Sequence, residues 1–171
     1  MRPLTLFAIC VMAVLSAGCA GYHLGPVNGA VAGDKSIEIV PFNNQTLQPR
    51  LGDAVTEALR ERLQTDGTYR LATHGSGDVV VTGVITDYSR EGVSFLQTDV
   101  TTVQNYRVEI TAHITVRDRA TSKVLFENKP VHGYTLVQVG TDLADAERQS
   151  LPLLAEDLAR NISELLTEGA W

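Results

Sequence analysis

Cysteine, surplus basic charge and long apolar runs are all scarce in this sequence of 171 residues. The two cysteines are Cys10 and Cys19, so a chain that loses the first of them cannot form an internal disulfide. The net charge of -6 argues against a nucleic-acid-binding protein, because such proteins need a basic surface. The first apolar run, residues 4–15, is shorter than the roughly 20 residues that a permanent transmembrane helix needs.

Motifs of enzyme active sites are also missing. The four histidines do not pair with each other or with a cysteine at the spacing of a zinc site. Ser76 lies between two glycines but not in the G-x-S-x-G pattern of a nucleophile elbow, and no Gly-rich phosphate loop joins a strand to a helix. We therefore expect no catalytic residues, no cofactor and no metal, and a protein that acts by binding.

The start of the chain does carry a signal. Arg2, a short apolar stretch and small residues before a cleavage point form a secretory signal peptide. Residues 15–19, LSAGC, resemble a bacterial lipobox, in which the cysteine is diacylated and the chain is cut before it. We therefore predict a lipoprotein signal peptide over residues 1–18, lipidation at Cys19 and a lipidated tether over residues 19–34.

The alternative at this position is an ordinary signal peptide cut near Ala17 or Ala20, which would leave Cys19 as a free thiol. If Cys19 is lipidated, the next residue decides which membrane holds the lipoprotein. Ala20 rather than Asp follows the cysteine, and by resemblance to proteobacterial sorting this implies the outer membrane.

Residues 35–171 predict one domain whose elements follow the order β-α-β-β-β-α. Apolar and polar side chains alternate cleanly over residues 106–118, as in a sheet with one covered face. We predict an α+β two-layer sandwich: a mostly antiparallel four-stranded sheet with two helices on one face. The predicted strands are 36–42, 79–88, 106–118 and 124–139, and the predicted helices are 49–64 and 142–167.

Four details of this prediction stay open. Residues 69–71 could begin another strand, and the polar connection 89–102 could be a long hairpin tip. A change of alternation near Lys129 and Pro130 predicts a bulge or bend. Pro152 should either kink the last helix or mark its start.

Basic residues recur on the predicted hairpin strands and their turns. Such positions are usually a solvated surface, but arginine also has the fork geometry that binds phosphate and carboxylate groups. The candidate contact residues are Arg90, Arg107, Arg117, Arg119 and Lys123.

Several stretches together suggest a family. Residues 19–24, CAGYHL, resemble the mature start of the LptE family of lipopolysaccharide-assembly lipoproteins. The resemblance continues through the FNNQT turn at 42–46, the NYRV segment at 105–108, and the last helix at 146–148 and 154–159. It implies a plug inside the β-barrel of LptD that supports the assembly of the barrel and binds lipopolysaccharide. It also implies a place at the periplasmic face of the outer membrane.

A second interpretation comes from residues 39–46, IVPFNNQT, followed by a helix. This opening is similar to that of periplasmic lipoproteins such as LpoB and CsgG, which activate cell-wall synthases or form secretion pores. We rank it second because those proteins lack the Gly-Tyr-His-Leu start.

Overall fold

A computed structural model describes residues 33–73, 75–97, 99–139 and 142–168. The predicted signal peptide and Cys19 lie outside these ranges. Within them the elements are β1 (Ser36–Ile39), β2 (Asn43–Asn44), α1 (Leu51–Asp66), β3 (Arg70–Leu71), β4 (Val79–Leu96), β5 (Asp99–Asp118), β6 (Val124–Gln138) and α2 (Leu143–Glu168).

The sheet is mixed and has six strands in the described part of the chain. Its order is β3-β1-β4-β5-β6, with β2 paired to β4 as well. Strand β1 is parallel to both β3 and β4, whereas β4, β5 and β6 form antiparallel neighbours. The predicted α+β class with two helices is confirmed, but the predicted four-stranded, mostly antiparallel sheet is wrong. Helix α1 returns the chain to the end where β1 began, so β4 starts beside β1 and runs in the same direction.

The core lies between one face of the sheet and the two helices. Alternate residues of β5, from Val108 to Val116, are completely buried against them. Both helices present apolar side chains at every fourth position, which places them on one face of each helix. These side chains are Leu51, Val55, Leu59 and Leu63 on α1, and Leu154, Leu158, Ile162 and Leu166 on α2.

Local residues fix the ends of the two helices. The N–H of Ala144 donates to Oδ1 of Asp142 at 2.8 Å, so Asp142 caps α2. Gly67 ends α1 with a φ of 73° and donates its N–H to the carbonyl of Leu63. Helix α2 runs through Pro152, which therefore does not mark its start.

Strands β4 and β5 continue well beyond the helices as one long hairpin. Their pairing extends from Val79 opposite Asp118 to Leu96 opposite Asp99, which confirms the hairpin predicted over residues 89–102. We call the end of the sheet that carries this tip the hairpin end, and the end that carries the 119–123 turn the turn end. The bulge predicted near Lys129 lies beside Asn128, which has a φ of 49°.

At the turn end, Asp78 joins β1 to the start of β4. Its carboxylate accepts hydrogen bonds from the N–H and the hydroxyl of Ser36, at 2.8 and 2.6 Å. These bonds lower the pKa of Asp78, with smaller contributions from the charges of Arg70 and Lys35. The ionised carboxylate therefore stabilises the parallel pairing of β1 and β4.

Replacing Asp78 by Asn should lower the melting temperature at pH 7. A carboxyl group whose pKa is depressed on folding stabilises the fold above its unfolded pKa of about 3.9, and this contribution disappears as the pH falls through the folded value. The difference in melting temperature between the wild type and Asp78→Asn should therefore shrink below about pH 3. Glu164→Gln, on the exposed side of α2, is the control. A difference of constant size from neutral to acid pH would contradict this role for Asp78.

Candidate functional site

The five basic candidate residues do not form a single patch. Arg117, Arg119 and Lys123 lie at the turn end, on β5 and in the turn that follows it. Arg107 is ten residues away from Arg117 along β5, which is roughly 33 Å at the rise of a strand. Arg90 lies near Arg107, because the next residue on β4, Glu91, is paired with Arg107. Their positions do not test the prediction that these residues contact a ligand. Any such contact would have to occur at two separate places on the domain.

Arg90 faces the helices. Its Nη1 lies 2.6 Å from Oε1 of Glu147, and this ion pair fastens the hairpin to the first turns of α2. The hydrogen bond and charge of Glu147 raise the pKa of Arg90. The hydroxyl of Tyr88 lies close to this pair, is buried and has no hydrogen-bond partner among the described residues. Burial raises the pKa of that hydroxyl, and the charge of Glu147 adds to the effect.

Arg107 lies on the face of the sheet that the helices leave uncovered. Its guanidinium carbon is 4.0 Å from the centre of the Tyr134 ring, a cation–π contact between β5 and β6. Its Nε lies 3.5 Å from Oε2 of Glu109 but does not form a hydrogen bond with it. Arg107 is thus held in place by an aromatic ring and one carboxylate.

At the turn end, Arg119 is already engaged. It pairs with Glu38 on β1, and its Nε donates to the carbonyl of Gly77 at 2.9 Å. Arg117 and Lys123 make no ion pair with any described residue. A depression of about 390 Å³ lies between Arg117, Arg119 and the neighbouring residues of β4 and β5. Of the five candidates, Arg117 and Lys123 are therefore the ones best able to accept an anionic group, and of these two only Arg117 lines the depression.

The features of a metalloenzyme or an integral membrane protein are not found in the described ranges. They contain no group of three or more His, Cys, Asp or Glu residues placed to hold a metal ion. Neither of the two helices in that part of the chain is long and apolar enough to cross a membrane.

Sequence reasoning did not find the exposed apolar side chains. Leu47, in the loop before α1, is fully exposed, and Tyr134, Leu136 and Leu153 are about half exposed or more. The last three lie along strand β6 and the turns of α2 beside it. A strand pattern predicts which face a side chain occupies but not whether the strand is at an edge, so this surface was not predictable from the sequence.

The described fold corresponds to a known protein family. A family model described as lipopolysaccharide-assembly, LptE, matches residues 35–166. The chain belongs to the LptE family. The match covers the whole sheet and both helices up to Leu166, and it confirms the resemblance noted at the level of the sequence.

Solved structures with the same fold as this LptE-family chain come from several bacteria. The hypothetical protein CT253 from Chlamydia trachomatis superposes with a TM-score of 0.57 at 11% identity, covering 82% of this chain and 98% of that one. A putative lipoprotein from Caulobacter crescentus gives 0.53 at 10% identity, covering 75% and 88%. A minor lipoprotein from Acinetobacter baumannii gives 0.52 at 13% identity, covering 78% and 93%.

At these identities the similarity shows the fold alone. No curated protein sequence matches the chain.

Proposed function

We propose that this chain is an outer-membrane lipoprotein that serves, without catalysis, as the plug and assembly partner of an LptD-like β-barrel. In this role it would support transport of lipopolysaccharide to the outer leaflet, held at the periplasmic face of the membrane by lipid on Cys19. The observation that carries the proposal is the LptE family match over residues 35–166. It also favours this role over the LpoB- or CsgG-like alternative.

The uncovered face of the sheet supports a role inside a barrel. Along β5 this face presents Arg107, Glu109, Thr111, His113, Thr115 and Arg117, all of them polar. The interior of an outer-membrane barrel is polar as well. A surface of hydrogen-bonding groups and mixed charges can pair with such a wall, whereas an apolar surface could not.

Contact with lipopolysaccharide requires cations that can reach phosphate. Of the five candidates, Arg90, Arg107 and Arg119 already have a carboxylate partner in Glu147, Glu109 and Glu38 respectively. We therefore assign this contact first to Arg117 and Lys123, since neither has to break an ion pair to bind an anion.

The experiment is purification of the full-length lipidated protein from detergent extracts of its own bacterium. LptD should co-purify in roughly equal amount, and depletion of the protein should reduce both the barrel and lipopolysaccharide at the cell surface. Normal amounts of both after depletion would rule out the assembly role. Recovery of a peptidoglycan synthase in place of LptD would favour the alternative.

The same extracts test the lipopolysaccharide contact. Arg117→Glu combined with Lys123→Glu should lower the lipopolysaccharide that co-purifies but leave LptD in place. The control is Arg148→Glu, because Arg148 is an exposed arginine on α2 whose one ion pair among the described residues is with Asp145. Equal loss of lipopolysaccharide from both variants would mean that general charge, rather than this pair, governs retention.

A further inference from the structure

Strand β6 forms one edge of the sheet, and its outward backbone groups alternate with those that bond to β5. The N–H of Val139 donates to the carbonyl of Gln104, so odd-numbered residues of this stretch bond inward and even-numbered ones point outward. The outward residues between the bulge and the end of the strand are therefore 130, 132, 134, 136 and 138.

The part of this edge from Pro130 to Tyr134 is protected. Pro130 has no N–H to offer. The carbonyl of His132 accepts a hydrogen bond of 2.7 Å from the side-chain amide of Asn161. The N–H of Tyr134 donates to Oδ2 of Asp157 at 3.0 Å. Helix α2 thus places two polar side chains on the edge that would otherwise be open to another strand.

The part of the edge from Leu136 to Gln138 is not protected. No described residue forms a hydrogen bond with the outward backbone groups of Leu136 or Gln138. Leu136 is 63% exposed. The capping of β6 therefore ends at Tyr134, two outward residues before the end of the strand.

Apolar side chains border this stretch on both faces of the sheet. Tyr134 and Leu136 project from the uncovered face, and Tyr134 supports the guanidinium of Arg107. On the helix side, Leu153 is 57% exposed and lies one helical turn before Asp157. Tyr134, Leu153 and Asp157 also line a groove of about 470 Å³ that is shared with residues of α1 and ends short of Leu136. An added strand would place alternate side chains against Leu136 and against Leu153.

We propose that the open end of β6, at Leu136 and Gln138, accepts an extended segment of the barrel partner as an additional strand of the sheet. This inference rests on the proposed function. Backbone hydrogen bonds would hold the segment, and apolar side chains on its two faces would cover Tyr134, Leu136 and Leu153.

The short length of the open stretch favours the barrel partner over a second copy of this chain. Two outward residues offer at most about four backbone hydrogen bonds, and a pair of strands joined over so short a length is marginal in water. In the proposed function the barrel surrounds this domain, so one of its segments would bind at high effective concentration and a short pairing would be sufficient.

The test compares Leu136→Pro with Leu136→Ala in full-length lipidated protein purified together with LptD of the same bacterium. Proline removes the outward N–H as well as the leucine side chain, but it breaks no bond to β5, because residue 136 bonds outward. Alanine removes the side chain alone. We expect co-purified LptD to fall about tenfold or more for Leu136→Pro and about threefold for Leu136→Ala.

Equal losses in the two variants, or no loss in either, would overturn strand addition. Gln138→Pro provides the same comparison if Leu136→Pro does not fold, as judged by its melting temperature. If the wild type fails to retain LptD, the proposed function itself fails. If the wild type purifies as a dimer that Leu136→Pro makes monomeric, the occupant is a second copy and the assignment to the barrel partner is wrong.

Discussion

Replacing Gly133 by Val should strongly destabilise the domain. A Cβ atom at this position would lie 2.7 Å from the backbone nitrogen of Leu158 and 2.8 Å from its Cα. These atoms belong to the backbone of α2, so no side-chain rotation can relieve the clash. The helix would have to move off the sheet, which would open the core around Leu154, Leu158 and Ile162.

The expected loss is about 3 kcal/mol or more in the free energy of unfolding, at the upper end for an overpacked core. This is a large part of the roughly 5–15 kcal/mol that stabilises a typical domain. Urea denaturation of wild type and variant measures it. Gly133→Ala should cost less than Gly133→Val, since its Cβ makes the same contact without the two methyl groups.

The matched control is Gln138→Val. It introduces the same residue into the same strand, but at an exposed position on the face away from the helices. It should change the stability by less than about 0.5 kcal/mol. A denaturation midpoint of Gly133→Val equal to that of the wild type would show that α2 does not rest on β6 at this glycine.

Cys19→Ala should abolish attachment of fatty acid and remove the protein from the outer membrane. Each buried methylene of an acyl chain contributes about 0.8 kcal/mol, and two or more chains are needed for stable anchoring. The measurement is incorporation of labelled palmitate, followed by membrane fractionation.

Cys10→Ala is the control, because Cys10 lies in the predicted signal peptide and would be absent from the mature protein. This variant should still be labelled and should remain in the membrane. Labelled fatty acid on Cys19→Ala would refute lipidation at this sulfur. Loss of label in both variants would mean that the signal itself had been damaged.

Strong local periodicity accounts for the successful predictions of the fold. Helices α1 and α2 and strand β5 each repeat apolar residues at the spacing of their own element. Both helices lie within two residues of their predicted bounds, and β5 ends at the predicted Asp118 but begins at Asp99 rather than at Tyr106. Strands β2 and β3 have only two residues each, which is too short for a period. Their existence depends on pairing with β4 and β1 rather than on their own residues.

The candidate site was less predictable, because its contacts join residues far apart in the chain. Arg90 meets Glu147 and Arg119 meets Glu38 across 57 and 81 residues. Basic side chains that look alike in sequence therefore divide into engaged residues and the free pair Arg117 and Lys123. The position of β6 at the edge of the sheet is also a result of packing. So is the point at which the side chains of α2 stop capping that edge.

The sequence by itself determined the family, the α+β class and the alternation of covered and polar side chains over residues 106–118, since each depends on motifs or on the local repeat of apolar side chains. Only the tertiary structure decided the parallel pairing of β1 with β4 and the open edge at Leu136. The physical reason is that backbone hydrogen bonds between strands do not depend on which side chains the residues have. Their pattern is set by which elements come together, and that depends on the whole packed domain.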